Sequence, residues 1–222
     1  MKLDLGEHGI MAYELALPLD PKIELEYSHW LPDTLNKASL SRRQEYLAGR
    51  VCAHKCAETL GMELLNLPSL PSRAPSWPEN LVGSITHTKR LAIAALGFRS
   101  QFKSVGIDAE ELIDPAKIAE LSSVIASDTE MKVIWASPQN EWSQRFTILF
   151  SAKESLFKAL NPLCHSFIDF KDAEMKEICL KSNSFILSLK RGGDELSSLK
   201  GDYEGKIIYH KASIVTVIIL NT

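Results

Sequence analysis

The chain has 222 residues, 45% of them hydrophobic and 24% charged, the profile of a globular protein able to bury a core as one domain or two small lobes. A formal charge of −3 argues against a general nucleic-acid binder, which carries a basic surplus to displace counterions. No charged leader followed by an apolar segment and no apolar run of bilayer length is visible, and four scattered cysteines suggest free thiols in a reducing cytoplasm.

Met11 to Leu17 predicts a first strand, closed by Pro18 and Pro21, and residues 22–38 predict a loop with one helical turn. Ser41-Arg42-Arg43-Gln44 has the form of a capping box, so a helix is expected to Leu60, stopping at Gly61. Leu40, Leu47, Val51 and Leu60 give it an apolar side, and Arg42, Arg43 and Arg50 read on their own as a solvated face. Cys52 and Cys56 share a helix face, but no second Cys/His cluster follows, so they read as small buried residues and not as zinc ligands. Four prolines between residues 66 and 80 exclude a long helix and predict a stiff loop that contains Arg73. Leu81 to Thr86 and Leu91 to Phe98 read as strands joined by His87-Thr88-Lys89-Arg90, and the second is apolar enough to be covered on both faces.

The stretch Ser104 to Leu112 alternates Val105, Ile107 and Ala109 with Gly106, Asp108 and Glu110, which is the period of a strand. Asp108 and Glu110 then share one face, and two carboxylates held side by side persist most easily with a cation between them. Taken alone, the same spacing describes a solvated strand end. Asp114-Pro115 and Ser127-Asp128-Thr129-Glu130 are helix starts, and Pro138 precedes a longer helix expected to end at Asn161-Pro162. In that helix Phe146, Leu149, Phe150, Phe157 and Leu160 recur at helical steps, and Lys153 falls inside the stripe, where it must snorkel outward or meet an anion. Glu154 lies at the stripe's border, where it could complete a three-carboxylate oxygen site with Asp108 and Glu110. Lys158 lies four residues beyond Glu154, the spacing of an ordinary surface pair. Beyond Leu163, the segments 185–189, 205–209 and 213–220 predict three antiparallel strands packed on this helix, separated by glycine-rich or polar turns. Gly201 to Lys206 mimics a phosphate loop but has Ile207 where a magnesium-binding hydroxyl is needed, so it is rejected.

Gly-Ser-Ile-Thr-His at 83–87, Gly-Ile-Asp-Ala-Glu at 106–110 and Phe-Ser-Ala-Lys-Glu-Ser-Leu-Phe-Lys-Ala at 150–159 occur in the order found in phosphopantetheinyl transferases. Arg-Arg-Gln-Glu-Tyr-Leu-Ala-Gly-Arg at 42–50 and Trp-Pro at 77–78 also fit, and the chain most resembles the branch typified by enterobactin synthase component D. The resemblance implies an α/β (α+β) fold, a pseudo-dimer of two similar lobes in one chain, with residues 1–103 carrying coenzyme A contacts and 104–222 the metal carboxylates. It implies that Arg42, Arg50, Thr86 and His87 bind coenzyme A phosphates and that Arg73 touches the nucleotide end. Asp108, Glu110 and Glu154 would hold Mg²⁺, Glu154 would also take the serine proton, and Lys158, with Lys153, would neutralise phosphate charge.

The implied reaction moves 4'-phosphopantetheine from coenzyme A to a serine of an apo acyl or peptidyl carrier protein and releases adenosine 3',5'-bisphosphate. Siderophore, nonribosomal peptide and fatty acid synthesis all use such carriers. A cytoplasmic monomer with no nucleic-acid partner and no membrane span is expected. Two alternatives stay open: another magnesium-dependent phosphoryl-transfer enzyme, such as a nuclease, and a non-catalytic coenzyme A or carrier-protein binding module on the same fold.

Overall fold

A computed structural model describes residues 1–164, 168–190 and 194–222, the side chains of 194–196 excepted. It divides into one unit of Met1–Val105 with Asn221–Thr222 and a second of Gly106–Leu220. Each mixes helix and sheet, and the glycine-rich link expected after Leu189 lies outside the described residues.

The first unit is built on an antiparallel sheet of β1 (Lys2–Leu3), β2 (Met11–Ala16), β3 (Leu81–His87) and β4 (Leu91–Phe98), in the order β1-β2-β4-β3. Central β4 is buried almost throughout, as its unbroken apolar run requires. Helix α1 (Pro21–Tyr27) takes the first third of the expected loop, because Asp20 caps it and Pro21 occupies its first turn, where a missing N–H is harmless. Helix α2 (Leu40–Thr59) is capped by Ser39, two residues before the expected cap at Ser41. Ser39 accepts from the Arg42 N–H, while Ser41 lies inside the helix and donates to Glu45. Leu47, Val51, Cys52 and Cys56 of α2 pack with Ala92, Ala94 and Leu96 of β4 to form this unit's core.

β5 (Phe102–Glu111) begins in the first unit and ends in the second. It joins β6 (Ala173–Cys179), β7 (Ser184–Leu189), β8 (Gly201–His210) and β9 (Ser213–Asn221) in a five-stranded sheet of order β5-β9-β8-β7-β6. The three-stranded expectation is therefore corrected. β6 was hidden by its polar edge sequence and a register shift at Met175/Glu177, and the rejected phosphate-loop mimic proves to be the first half of β8. Helices α3 (Pro115–Ile125) and α4 (Asp128–Ala136) begin where their caps predict, α4 with a full Ser127/Glu130 capping box. Helix α5 (Trp142–Cys164) runs through Pro162 and is longer than expected, since a proline this near the end removes few ladder bonds. Its Ile148, Ala152, Leu156 and Leu160 meet Phe185, Leu187, Ile207 and Ile218 of the sheet, while Phe146 and Leu149 pack with Ile118, Ile125 and Ile134. Complete burial of one such side chain, Phe185, contributes about 1.5–3 kcal/mol.

Candidate active site

In the second unit, the approach of α5 to β5 is set by a glycine. A Cβ at Gly106 would lie 1.9 Å from the Ser155 carbonyl oxygen and 2.6 Å from the Ala159 nitrogen. Helix backbone thus rests directly on strand backbone, and this brings the side chains of β5 and α5 within reach of one another. Asp108 is only 3% exposed, and its Oδ1 accepts a hydrogen bond of 2.6 Å from the Lys158 ammonium. Lys158 therefore reaches across to β5 and is not the solvated partner of Glu154 that its spacing allows. Ala109 is buried, on the opposite face from the two acids by strand alternation.

Electrostatics tie the acids together. Burial first, then the charge of Asp108, pushes the Glu110 carboxyl up to about 8, with Lys158 opposing and Glu154 and Glu111 adding to the rise. Glu154 is also raised, by burial and by Asp108, with Lys158 pulling the other way. Among the described residues no group of three or more His, Cys, Asp or Glu side chains stands in a metal-holding arrangement. The donor chemistry nevertheless suits a hard cation, being carboxylate oxygen with no thiolate, and Lys158 already offsets part of the negative charge. Beside Glu154 lies a cavity of about 80 Å³ lined by Lys153, Phe157, Ile168 and Phe170. Sequence reading missed it, because residues 168 and 170 come from a segment without a period of its own.

Of the two courses open to Lys153, snorkelling outward or meeting an anion, it takes the second. It is 2% exposed and donates to Glu130 Oε2 at 2.8 Å and to the carbonyls of Ile125 and Phe170 at 2.9 Å each. All three ammonium hydrogens are thereby occupied. Burial lowers its pKa and Glu130 resists that fall.

In the first unit, Arg42 Nη1 lies 3.3 Å from His87 Nε2, although the residues are 45 positions apart, and Glu45 stands 3.4 Å from Arg42 and 3.8 Å from His87. Thr86 is buried next to His87. Trp77 packs on β3 at Gly83, where a Cβ would lie 2.7 Å from its ring and from Leu96. That contact links two of the motif segments. Arg50 is more confined than its neighbours. Its guanidinium lies 3.9 Å over the Tyr46 ring and donates to the Leu67 carbonyl and the Ser69 hydroxyl, so most of it is committed to the proline-rich loop. Its pKa is lowered by burial, with Arg42 adding repulsion against Tyr46. Arg73 is exposed in the loop with a positive φ of 68°. Cys52 and Cys56 are buried and donate to the carbonyls of Ala92 and Ala94, in keeping with a packing role.

Residues 31–97 match a model of the 4'-phosphopantetheinyl transferase N-terminal domain, and residues 104–207 match the 4'-phosphopantetheinyl transferase superfamily. The chain is 34% identical over 188 residues to the 4'-phosphopantetheinyl transferase Svp of Streptomyces mobaraensis, covering 82% of this chain and 74% of that protein. It is 33% identical to the enterobactin synthase component D of Salmonella typhi and to the 4'-phosphopantetheinyl transferase PptT of Mycobacterium tuberculosis, each over 135 residues and 60% of this chain. It spans 55% and 58% of the length of those two relatives. Among the described residues no helix is long and apolar enough to cross a membrane. With both units matched in order and a relative covered over most of its length, the chain belongs to the 4'-phosphopantetheinyl transferase family.

Proposed function

We propose that this protein transfers the 4'-phosphopantetheine arm of coenzyme A to a serine hydroxyl of an apo acyl or peptidyl carrier protein, releasing adenosine 3',5'-bisphosphate. The observation that carries this reading is the 2.6 Å bond of Lys158 to buried Asp108, which joins the acidic strand motif to the helix motif that holds Glu154. Glu110 and Glu154, whose proton affinities Asp108 helps to raise, are poorly served without added positive charge, and carboxylate oxygens match the preference of Mg²⁺. Bound there, Mg²⁺ would supply charge neutralisation for the pyrophosphate. Asp108, Glu110 and Glu154 would hold it.

The chain's own groups then divide the remaining work. Arg42, Arg50, Thr86 and His87 bind coenzyme A phosphates, Arg42 and His87 as an adjacent pair of donors and Arg50 through the part of its guanidinium not used by the loop. Arg73 touches the nucleotide end. Lys158 carries positive charge to the phosphoryl group. Glu154, whose raised proton affinity makes its carboxylate a stronger base, accepts the serine proton as the serine oxygen bonds to phosphorus and the bond to the leaving phosphate breaks. Lys153 is assigned no phosphate, because its three hydrogens are already in use. The cavity of Phe157, Ile168 and Phe170 offers apolar space beside Glu154 for the pantetheine arm.

Incubation with coenzyme A, Mg²⁺ and an apo carrier protein, followed by mass spectrometry of the carrier, tests the proposal. The carrier is expected to gain the mass of one phosphopantetheine at its serine. A carrier of unchanged mass alongside bound coenzyme A would favour a binding module, and cleaved nucleic acid would favour a nuclease.

A further inference from the structure

Helix α5 is anchored along two lines. On one, the Ser151 and Ser155 hydroxyls lie 2.9 and 2.6 Å from Thr216 Oγ1 on β9, and Gly106 admits the helix backbone against β5. Two residues on from Ser151, about 200° round the helix, Lys153 reaches the carbonyl at the end of α3, the carbonyl of Phe170 and the carboxylate of Glu130 on α4. Glu154 lies about 100° from Lys153 on one side and about 100° from Ser155 on the other. It is carried between the two anchors.

Glu130 is the hub of the second anchor. It is 4% exposed, and its Oε2 accepts from both Lys153 and the Ser127 N–H, while Oε1 accepts from the Met175 N–H at 2.6 Å. One carboxylate thus ties the start of α4, the edge strand β6 and α5 together. A capping box needs only the bond to Ser127, so the other two connections require another explanation. The contacts to Thr216 and Gly106 lie along one side of α5 and fix its distance from the sheet. Roll about that line is opposed from the far side, where the Glu130 anchor stands beside the packing of Phe146 and Leu149 on α3 and α4. A roll of about 20° would move a carboxylate about 5–6 Å from the helix axis by about 2 Å, several times the tolerance of an oxygen ligand site.

We propose that Glu130 and Lys153 are positioning residues that fix the roll of α5 and so the direction of Glu154; this rests on the assignment of Glu154 to a divalent-ion site made above. Neither residue touches the reacting atoms. Both act through the backbone of the residue next to Lys153.

The test uses the full chain with Glu130→Gln/Lys153→Met, a nearly isosteric neutral pair that removes the ionic tether without leaving a buried charge alone. Three quantities are read: the thermal midpoint, the affinity for Mn²⁺ in the absence of coenzyme A, and kcat with the KM for coenzyme A. The expected result is a midpoint lowered because the Ile125 and Phe170 carbonyls lose their donor but still above the assay temperature, Mn²⁺ binding weakened about 10-fold or more, kcat reduced in parallel, and the KM for coenzyme A within about twofold. Wild-type Mn²⁺ affinity in the folded double variant overturns the proposal, as does a loss that only follows the unfolded fraction. Should the double variant fail to fold, Glu130→Asp shortens the tether by one methylene and retains the charge. It is expected to weaken Mn²⁺ about threefold, and wild-type affinity would overturn the proposal. A wild-type protein that binds Mn²⁺ but transfers nothing overturns the transfer reading alone, and one that binds no Mn²⁺ overturns both.

Discussion

Both units lay a long helix across an antiparallel sheet, yet they place charge in opposite ways. In the first unit, Arg42, Glu45 and His87 meet at the surface, where water screens each of them and their geometry is loosely held. In the second, Asp108 and the Lys153–Glu130 pair are buried, where a charge is costly unless an opposite charge is held against it. The difference teaches where each task belongs. Surface cations suit recognition of a mobile phosphate, while acids locked in depth suit a reaction that tolerates little misplacement.

The contrast is broken most severely at Glu154. Glu154→Gln is expected to reduce transfer by about 10³-fold or more, roughly 4 kcal/mol of barrier, with an unchanged circular dichroism spectrum, and Asp108→Ala should behave alike. Transfer within tenfold of wild type in either variant would remove the buried acids from the mechanism.

A second way to sharpen the comparison uses glycines. Gly106→Ala places a methyl against helix backbone that cannot move aside, so denaturant unfolding should show a loss of about 3 kcal/mol or more. Gly83→Ala meets the side chains of Trp77 and Leu96, which can shift, and should destabilise by about 1–2 kcal/mol. Equal losses would mean that the contact of the Trp77 loop with β3 is as rigid as the helix-on-sheet contact at Gly106.

His87→Ala tests the exposed side of the contrast. The KM for coenzyme A should rise about tenfold, worth about 1.4 kcal/mol, with kcat within about twofold. A fall in kcat with unchanged KM would move His87 to the chemical step.

The remaining effect is a pH dependence of stability. Glu110 has its proton affinity raised in the folded state to about 8, so between the unfolded carboxylate range and that value the folded protein holds a proton that the unfolded chain has released. Stability without divalent ions should therefore fall as pH rises toward about 8 and level off above it. Glu110 is half-buried and solvent moderates the slope. Thermal midpoints of wild type and Glu110→Gln measured in a chelator check this, and a slope that survives the substitution would assign it elsewhere.

Features written in local chemistry were legible in the sequence. The alternation around Asp108 gave β5, and Asp114-Pro115 and Ser127/Glu130 gave the starts of α3 and α4. The position of Lys153 in an apolar stripe left a choice between snorkelling and an anionic partner, and sequence could not name Glu130, which stands 23 residues away and doubles as an ordinary cap. The Arg42–His87 approach was suggested by motif order alone. β6 was obscured for another reason: Lys176 and Glu177 suit an edge, where alternation is weak and a register shift erases it. The Ser39 cap lost to Ser41 in the sequence reading because both precede the same arginines, and only backbone geometry distinguishes them.

The two thiols hidden under β4 have a practical consequence. Burial drives Cys56 up to about 12 and Cys52 well above its ordinary value, so neither forms a reactive thiolate in neutral buffer. Cys179, at the end of β6, is pulled down by hydrogen bonds from Ser182. A maleimide dye should therefore label the wild-type protein first at Cys179, giving a spectroscopic reporter without any engineering.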